Sequence, residues 1–562
     1  RALLKAGDCF SWQYHKLPIG DDSEDRQPNE FVHRGRYVKF HNFEPGLEIY
    51  EMQFIDNKTG KIIKPVKISE YELKYKDLKT NKLYSSEEAE KEDIFSLNEK
   101  AIENNEDLRI VEVSVERKAE KALRLIDEAD KTPSQISWYN SMYFDEIYHA
   151  RTGLEQARIL STNDSNSIYE TTHPPLGKVF MTLSIMLFGM TPFAWRFAGA
   201  LSGVLMLPGV YLIARLFSKK RQSAILALVL MALDFLHYPQ TRIATIDSFA
   251  TLFIIWASYF MFRYIVIALK QEGLKEQIKE LFLSGLFFSL ACASKWTGFY
   301  AGLGLAIIFF TGFTSHIVRL KKEGELGKKE IKNALITLIS CVFIFVVMPF
   351  FIYLISFYPV FKNSGGLSIK RVLEASENML SYHAKPGFGM DHPFYSPWYA
   401  WPFSQKPMWY YSGKRFDGTS SSILAFGNPI VWGFGLISTI AVFIKTLLGF
   451  YKKEKHSSLF EAVDIRAFLI IISFMAQYLP WALVPRGTYI YHYFPSVPFI
   501  ILATSYILDG LLIKNKKTGN IVFVSLIILS LVAFIIFFPY ISGFRVSLKW
   551  FELGKWFPTL YY

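Results

Sequence analysis

Long apolar segments dominate the chain after residue 190, and they constrain its fold more than any other feature. A helix needs about 20 predominantly apolar residues to cross the hydrocarbon core of a bilayer. Ten segments meet or approach this length: 194–217, 222–238, 244–266, 281–294, 297–313, 333–357, 424–449, 466–484, 495–513 and 519–540. The sequence therefore predicts a mainly α, polytopic membrane protein with ten transmembrane helices in these residues. The stretch 175–190 is shorter and predicts a helix that lies on the membrane surface.

The distribution of charge predicts an orientation. Of the 562 residues, 51% are hydrophobic and 20% are charged, and the formal net charge is +12. Lys-rich segments occupy every second loop between the predicted spans: 218–221, 267–280, 314–332, 450–465 and 514–517. Because Lys and Arg accumulate in cytoplasmic loops, we expect these loops in the cytoplasm and the intervening ones outside. This bias accounts for most of the positive charge, so we do not expect nucleic acid as a partner.

Composition and topology exclude other classes of protein. The apolar content excludes a disordered chain and an ordinary soluble enzyme, and three cysteines are too few for a disulfide framework. In the predicted topology the polar N-terminal region and the C-terminal tail both lie outside the cell. The N-terminal region needs a preceding segment to carry it across the membrane, and the residues given start at Arg1. We therefore expect an eleventh transmembrane helix ahead of them.

The N-terminal region has the pattern of β-strands. Residues 36–43, 47–56 and 61–68 alternate apolar and polar side chains, and turn-forming residues separate them. The segments RYVKF and LEIYEMQFID resemble the closing strands of a discoidin-like β-sandwich, which implies binding of carbohydrate or of a surface. A spacer without a ligand is an equally good interpretation. Residues 84–137 are highly charged and predict a solvated helical connector.

These patterns divide the chain into seven predicted parts. In chain order they are a β-rich extracytoplasmic region (1–83), a charged helical connector (84–137), a catalytic outer loop with membrane-surface helices (138–193), the first part of the transmembrane core (194–357), an aromatic outer loop (358–423), the second part of the core (424–540) and an extracytoplasmic tail (541–562).

Polar clusters of unusual composition all fall in segments that are predicted to lie outside. They are 142–146 (MYFDE), 172–178 (THPPLGK), Arg196, 240–242 with Asp247, 294–296 (SKW), 392–402 and 485–493. Ionisable residues at the edge of the apolar zone are costly and usually serve function. Their common side of the membrane predicts that they form one site.

The side chains of these clusters suit transfer of a group from a phosphate. Asp145 and Glu146 are a carboxylate pair that offers a general base. The basic side chains suit a phosphate leaving group. No HExxH, Cys/His spacing or DxD pattern occurs, so we expect no metal and no other cofactor. A basic site beside the membrane without a nucleotide motif predicts a lipid-phosphate donor.

Seven segments together resemble the protein O-mannosyltransferase family of GT-C membrane glycosyltransferases. They are FDE (144–146), HPPLGK (173–178), RFAGALSG (196–203), QTRIATIDS (240–248), SKWTG (294–298), FGNPIVW (426–432) and YIYHYFPSVPF (489–499). The resemblance covers residues 138–540 in order. It implies metal-independent transfer of mannose from a polyprenyl phosphate to a Ser or Thr hydroxyl, with inversion. It also implies an eleven-helix core with catalysis on the outer face.

The resemblance implies roles for the acidic side chains. Asp145 would deprotonate the acceptor hydroxyl, and Glu146 would position the substrate or the neighbouring cation. Asp247 is expected to orient a neighbouring cation.

The resemblance also places basic side chains near the donor. The residues that match such positions are Lys178, Arg196, Arg242, Lys295, Arg486 and His492, and which of them touches phosphate is left open. His173 belongs to the surface-helix motif, and Tyr491 lies beside His492 in the last motif. Two alternatives also stay open: a buried ion pair for Lys295, and an interfacial position for Lys178.

One departure from the family bears on the acceptor. Eukaryotic members carry a large luminal MIR domain, for which the 66 residues of 358–423 are too few, so the chain resembles a bacterial-type member. The expected partners are polyprenyl-phosphate-mannose, an acceptor protein or peptide, and membrane lipid; oligomeric state is left open. A cell-envelope glycan or lipid is the alternative acceptor, and a transporter of lipid-linked sugar is a more remote alternative function.

Overall fold

The computed structural model describes residues 70–103, 108–117, 137–162, 168–270, 273–414, 418–452 and 463–553, with four two-residue strands ahead of them. The chain divides into two compact units, Arg1–Ile136 and Ser137–Tyr562. The second unit contains the apolar segments and all the candidate site residues.

The first unit holds small antiparallel sheets. Its described elements are β1 (Ala2–Leu3), β2 (Glu51–Met52), β3 (Phe54–Ile55), β4 (Ile62–Ile63), β5 (Glu70–Asp77), β6 (Leu83–Tyr84), α1 (Ser86–Lys91), α2 (Ser96–Glu103) and β7 (Ile110–Arg117). Strand β1 pairs with β2, and β3 pairs with β4. Strand β5 lies between β6 and β7, with Glu70 opposite Arg117 and Asp77 opposite Ile110.

The prediction of a helical connector is wrong for residues 110–117, which form strand β7. Val111, Val113 and Val115 alternate with polar residues there, and β-branched side chains favour a pleated strand. The charged residues around this segment hid its two-residue period. The predicted strands 47–56 and 61–68 contain β2, β3 and β4, whereas 36–43 lies outside the described residues.

The second unit is helical apart from one small sheet. Its described elements are α3 (Glu146–Ser161), α4 (Leu176–Phe188), α5 (Pro192–Phe217), α6 (Arg221–Ala232), α7 (His237–Arg242), α8 (Asp247–Leu269), α9 (Leu274–Ser294), α10 (Thr297–Glu323), α11 (Lys328–Val342), a π-helical turn (Phe343–Val347), α12 (Met348–Ser356), α13 (Tyr358–Phe361), α14 (Ile369–His383), a 3₁₀ helix (Trp398–Phe403), β8 (Met408–Lys414), β9 (Thr419–Ala425), α15 (Pro429–Lys452), α16 (Ile465–Tyr478), two 3₁₀ helices (Leu479–Leu483 and Ile490–Ser496), α17 (Val497–Lys514), α18 (Lys516–Ser542), β10 (Val546–Ser547) and α19 (Leu548–Leu553).

Eight helical segments in the described part of the chain are long and apolar enough to cross a membrane. They are Pro192–Phe217, Asp247–Leu269, Thr297–Glu323, Lys328–Phe361, Pro429–Tyr451, Ile465–Leu483, Ile490–Lys514 and Lys516–Ser542. Each coincides with one predicted span, so the prediction of a mainly α, multi-pass membrane protein is confirmed. The count of ten spans stays a prediction.

The predicted span 222–238 is not one continuous helix. Helix α6 ends at Ala232, and the short helix α7 begins at His237. The buried Asp234 carboxylate accepts hydrogen bonds from the backbone N–H groups of Leu236 and His237, at 3.0 Å each, and from the Trp432 indole at 2.7 Å. An aspartate that binds nearby backbone donors favours a turn over a continuing helix, which explains the break.

The predicted span 281–294 belongs to a longer helix, α9, of 21 residues. Its first two turns carry charged residues, and Glu280 forms an ion pair with Arg263 of α8 at 2.9 Å. The stretch 175–190 contains the 13-residue helix α4. The position of α4 on the membrane surface stays a prediction.

Helix α8 connects the candidate site to a Lys-rich loop. It begins at Asp247 and ends at Leu269, within the Lys-rich segment 267–280, whose residues from Leu274 onward form the start of α9. A helix of 23 residues is about 34 Å long, so the two features lie at opposite ends of a helix that is long enough to cross a membrane. Lys295, between α9 and α10, lies at the Asp247 end, because the two side chains form an ion pair at 2.7 Å.

Candidate active site

Asp145 carries a carboxylate that is available for chemistry. It stands at the N-cap of α3, but its side chain makes none of the capping hydrogen bonds that Asp usually makes there. Its carboxylate forms no hydrogen bond or ion pair with the described residues, and the residue is partly exposed. Burial raises the pKa of Asp145 to about 7, and the nearby Asp247 carboxylate acts in the same direction. A carboxylate with this pKa suits a general base near neutral pH.

Glu146, the next residue, is fully buried and fully engaged. Its oxygens accept hydrogen bonds from Nε and Nη2 of Arg196, both at 2.7 Å, and from the Trp195 indole at 3.3 Å. The backbone N–H groups of Tyr143 and Ala244 donate to it at 3.3 and 3.1 Å. The charge of Arg196 is therefore directed at Glu146. The pair ties α3 to α5 and to the loop before α8.

Asp247 and Lys295 form a second buried ion pair, 2.7 Å long, at the same end of the bundle. The Lys295 ammonium also lies 5.6 Å from the centre of the Tyr491 ring. Asp247 is thus placed to orient the Lys295 cation, and Tyr491 brings the last motif into the same site. Both residues are buried, and their side chains are 5% (Asp247) and 10% (Lys295) exposed.

His492 lies among aromatic rings beside this pair. Its Nδ1 lies 3.0 Å from the backbone nitrogen of Tyr489 and 3.1 Å from the carbonyl oxygen of the same residue, so the Tyr489 backbone engages this ring nitrogen. The Trp481 and Tyr491 rings lie 4.3 and 4.4 Å away between centres. Nε2 makes no hydrogen bond within the part of the chain that the structure describes. It is the ring nitrogen that is left for a substrate.

Arg486 is a cation without a counter-ion among the described residues. It is partly exposed and makes no hydrogen bond or ion pair with them. Its charge acts on His383, whose pKa is lowered to about 3 by burial first, then by His173 and Arg486. The Arg486 charge also acts on the Tyr489 phenol. Arg486 therefore lies near His383 and Tyr489, and its charge is available for an anion.

Arg242 is placed differently. Its guanidinium lies 4.9 Å from the Trp138 ring centre and 4.8 Å from the Tyr238 ring centre, and Nη1 donates to the carbonyl of Ser542 at 3.0 Å. Arg242 joins three parts of the fold through these contacts. Nothing in its contacts brings the cation to the Asp145 carboxylate.

Glu170 is a central buried residue that the sequence analysis missed. It forms an ion pair with Lys178, and the His173 Nδ1 lies 3.1 Å from its Oε1. It also accepts hydrogen bonds from the backbone N–H of Thr172, at 2.7 Å, and from the Thr172 hydroxyl. Burial opposes its ionisation, but Lys178 and His173 hold the pKa of Glu170 below its usual range. Lys178 and His173 are thus used to fix the loop ahead of α4.

His383 is a second residue that was missed. Its Nε2 donates to the carbonyl of Thr172 at 2.7 Å, and its ring lies 5.1 Å from that of His173. It brings the end of α14 to the loop that contains Glu170. The sequence signal was weak because His383 ends an amphipathic helix with no motif around it.

Among the described residues, no group of three His, Cys, Asp or Glu side chains could hold a metal ion.

Comparison with known proteins finds related families and sequences. A family model described as dolichyl-phosphate-mannose-protein mannosyltransferase matches residues 134–364, and one described as the C-terminal four-transmembrane region of protein O-mannosyltransferase matches 368–560. The polyprenol-phosphate-mannose–protein mannosyltransferase of Mycolicibacterium smegmatis is 24% identical over 482 residues, covering 74% of this chain and 87% of that protein. The protein of the same name from Corynebacterium glutamicum is 24% identical over 484 residues, covering 74% and 88%.

A solved structure shares the fold. The Saccharomyces cerevisiae protein O-mannosyltransferase Pmt1–Pmt2 complex, bound to the sugar donor, matches with a TM-score of 0.61 and 14% identity, covering 75% of this chain and 89% of that one. The fold and the site together define a multi-pass membrane glycosyltransferase of the GT-C class. The two family models cover most of the second unit between them. The chain belongs to the protein O-mannosyltransferase family.

Proposed function

We propose that this enzyme transfers mannose from a polyprenyl-phosphate-mannose to Ser or Thr hydroxyls of proteins, with inversion, without a metal, and on the outer face of the membrane. The observation that carries the proposal is the unengaged Asp145 carboxylate, on which the Lys295 charge acts. The charges of Asp145 and Arg486 both reach the Tyr489 phenol, and His492 follows Tyr491, over which Lys295 lies. The names of the relatives supply the donor and the acceptor class.

Asp145 acts as the general base. It accepts the proton of the acceptor hydroxyl while the hydroxyl oxygen forms a bond to the anomeric carbon. The bond from that carbon to the phosphate oxygen breaks, and the polyprenyl phosphate leaves with the electron pair. Glu146 and Glu170 are fully bonded, and Asp247 is paired with Lys295. Asp391, whose charge reaches the Tyr489 phenol as the Asp145 charge does, is exposed. A single partly buried base favours a single displacement, which inverts the anomeric carbon.

The cations hold the leaving phosphate. Arg486 offers an unneutralised charge, and His492 offers its Nε2, since the Tyr489 backbone engages only Nδ1. The ammonium of Lys295 keeps two of its three protons for an anion, because Asp247 accepts only one at 2.7 Å. Preorganised donors of this kind stabilise the charge that develops on a leaving group.

Charge asymmetry supports the proposed outer location. The candidate base and cations lie at the Asp247 end of α8, whereas the Lys-rich loop 267–280 follows its other end. Because Lys-rich loops stay in the cytoplasm, the opposite end faces outside. This placement agrees with a lipid donor whose sugar has been moved across the membrane.

The test is transfer in membranes that contain the full chain, supplied with polyprenyl-phosphate-mannose and a Ser/Thr-containing peptide. Asp145→Asn should lower turnover by about 100-fold or more, because removing a general base costs about 10²–10⁴-fold. Folded protein should stay at the wild-type level. Near-normal turnover of Asp145→Asn would overturn the assignment of the base.

Two further measurements in the same membranes test metal independence and the class of acceptor. Transfer to peptide should continue in excess EDTA, and loss of activity that Mg²⁺ or Mn²⁺ restores would contradict metal independence. Mannose found on a lipid or glycan fraction, with none on Ser or Thr, would contradict a protein acceptor.

A further inference from the structure

Phe144, the residue before the proposed base, adopts an uncommon backbone conformation. Its φ of +50° lies in the left-handed region, which side chains other than glycine rarely enter. Such a conformation persists only where surrounding contacts enforce it, and it concentrates at functional sites. It sets the direction in which the chain enters α3. It therefore bears directly on where the Asp145 carboxylate points.

Two aromatic rings hold Phe144. The Tyr410 ring stacks on it with 4.4 Å between centres and 27° between planes. The Tyr491 ring meets it edge-on at 6.0 Å and 78°. Rings at these distances attract one another and exclude water from the space between them. The Phe144 ring is thus fixed from two distant parts of the chain.

Tyr410 is fixed in turn by the sheet and by a buried amide. It falls at a bulge of β8, where the register with β9 shifts between Trp409 and Tyr411. A bulge redirects a side chain and is common beside active sites. The Tyr410 hydroxyl donates to Oε1 of Gln240, and the Gln240 amide nitrogen donates to the Thr245 hydroxyl at 3.2 Å. Both Tyr410 and Gln240 are buried.

We propose that Phe144, Tyr410 and Gln240 form a positioning unit that fixes the direction and the hydration of the Asp145 carboxylate. The inference rests on the proposed function, because it assumes that Asp145 is the base. The unit acts through Asp145 and touches neither the donor nor the acceptor in this account. The aromatic contacts keep water away from one side of the carboxylate, and the hydrogen bond to Gln240 keeps the rings in place.

Charged groups also act on Asp145, and the variants below leave them unchanged. The charged ones are Asp247 and Lys295, at the ends of α8 and α9, and Glu170 in the loop before α4. The phenols whose ionisation is coupled to Asp145 are Tyr148 on α3, Tyr410 on β8, and Tyr489 and Tyr491 around the 3₁₀ helix before α17. None of the charged groups is removed by the variants below.

Tyr410→Phe is the conservative test, because it keeps the stacked ring and removes only the hydroxyl that bonds Gln240. We expect kcat to fall by about 10-fold. A displacement of the reacting groups by about 1 Å can lower the rate by about 100-fold, and the loss of one hydroxyl allows a smaller displacement. The KM for the lipid donor should stay unchanged. The acid limb of the kcat/KM profile should move to lower pH, because water that reaches Asp145 favours its charged form.

Phe144→Gly tests the ring separately from the backbone. Glycine adopts the left-handed conformation freely, so the path of the chain is preserved while the ring is lost. The acid limb should move further than in Tyr410→Phe, by about one pH unit or more. The matched control is Tyr264→Phe, which removes the hydroxyl of another buried tyrosine, stacked on Phe309 at 5.6 Å. Tyr264 lies 17 residues beyond Asp247 in α8, about 25 Å along the helix.

The outcomes separate this inference from the proposed function. If wild type transfers mannose and both variants keep its kcat and pH profile, the positioning unit is wrong and the function stands. If kcat falls with no change in the profile, in step with the loss of folded protein, the contacts only stabilise the fold and the inference is wrong. If wild type transfers no mannose to peptide, or Asp145→Asn transfers it normally, the proposed function itself fails.

Discussion

The carboxylates of Asp145 and Glu146 are adjacent in sequence and opposite in bonding. Glu146 is 0% exposed and receives two hydrogen bonds from Arg196, one from an indole and two from backbone N–H groups. Asp145 receives none from the described residues and is partly exposed. At the start of α3, neighbouring positions thus hold a carboxylate that anchors the fold, Glu146, and one that is left unengaged, Asp145. This difference is the basis for assigning the base to Asp145 alone.

Glu146→Gln should destabilise the protein. It leaves the Arg196 guanidinium, whose side chain is 13% exposed, without its counter-ion. Breaking a buried ion pair by removing one partner costs about 3–5 kcal/mol. The free energy of unfolding in mixed detergent micelles should fall by about that amount, and turnover should fall with the fraction of folded protein.

A matched control is available on α14. Lys370 and Glu374 form an exposed pair 3.9 Å apart, with side chains 87% and 58% exposed. Lys370→Gln should change the free energy of unfolding by about 0.5 kcal/mol or less. An equally small effect of Glu146→Gln would show that Glu146 does not anchor the fold.

Activity should rise with pH through about 7. The base form of Asp145 is the ionised one, and burial with the Asp247 charge raises its pKa to about 7. The logarithm of kcat/KM for transfer should therefore rise with unit slope against pH below pH 7 and level off above it. A limb centred near pH 4 would contradict the burial of this carboxylate.

The same pKa has a consequence for stability. Because the pKa of Asp145 in the folded protein lies above its ordinary value of 3.8, the stability that this group contributes is fully present below about pH 3.8 and is lost as pH rises through about 7. Asp145→Asn should consequently unfold at a higher temperature than wild type at pH 8. The difference should shrink as pH falls below 7. Equal unfolding temperatures at pH 8 would argue against a raised pKa.

Arg486→Gln should weaken the binding of the lipid donor. Arg486 has no counter-ion among the described residues, so its charge is available to the phosphate. A charge-assisted hydrogen bond contributes about 1.5–3 kcal/mol, which corresponds to a rise in KM of about 10- to 150-fold. Lys370→Gln removes an exposed cation outside the candidate active site, and it should leave KM unchanged. A lowered kcat with constant KM would move Arg486 from binding the donor to another role.

The sequence carried most of the fold because apolar segments and loop charges follow directly from the membrane. Prediction from the sequence failed at segments whose conformation depends on contacts with distant residues. Asp234 breaks the run 222–238 by binding backbone donors and the Trp432 indole, 198 residues away. The two-residue period of 110–117 became visible only in its pairing with β5.

The site was predictable as a set of residues and not as a set of roles. The motifs located Asp145 and Glu146, but their difference depends on Arg196, which is 50 residues beyond Glu146. Glu170 was missed because a single carboxylate in a loop has no pattern. Its importance comes from Lys178 and His173, which close on it in three dimensions.

Gly298→Ala should disturb the Lys295 position. A Cβ at Gly298 would lie 2.5 Å from the backbone of Ala291 and Cys292, at the sharp connection between α9 and α10. Neither backbone atom can move without shifting Lys295, which occupies that connection and pairs with Asp247. Overpacking of this kind costs about 1–3 kcal/mol. We expect reduced turnover together with a lower free energy of unfolding.

Gly433→Ala is the matched control, since a Cβ there meets nothing within 4 Å inside helix α15. It should leave turnover unchanged and stabilise the protein by up to about 1 kcal/mol, because alanine favours a helix over glycine. If Gly298→Ala behaves like Gly433→Ala in both measurements, the close approach of α9 and α10 does not hold Lys295. If only Gly298→Ala loses turnover, the packing of these two helices is what places the cation beside Asp247.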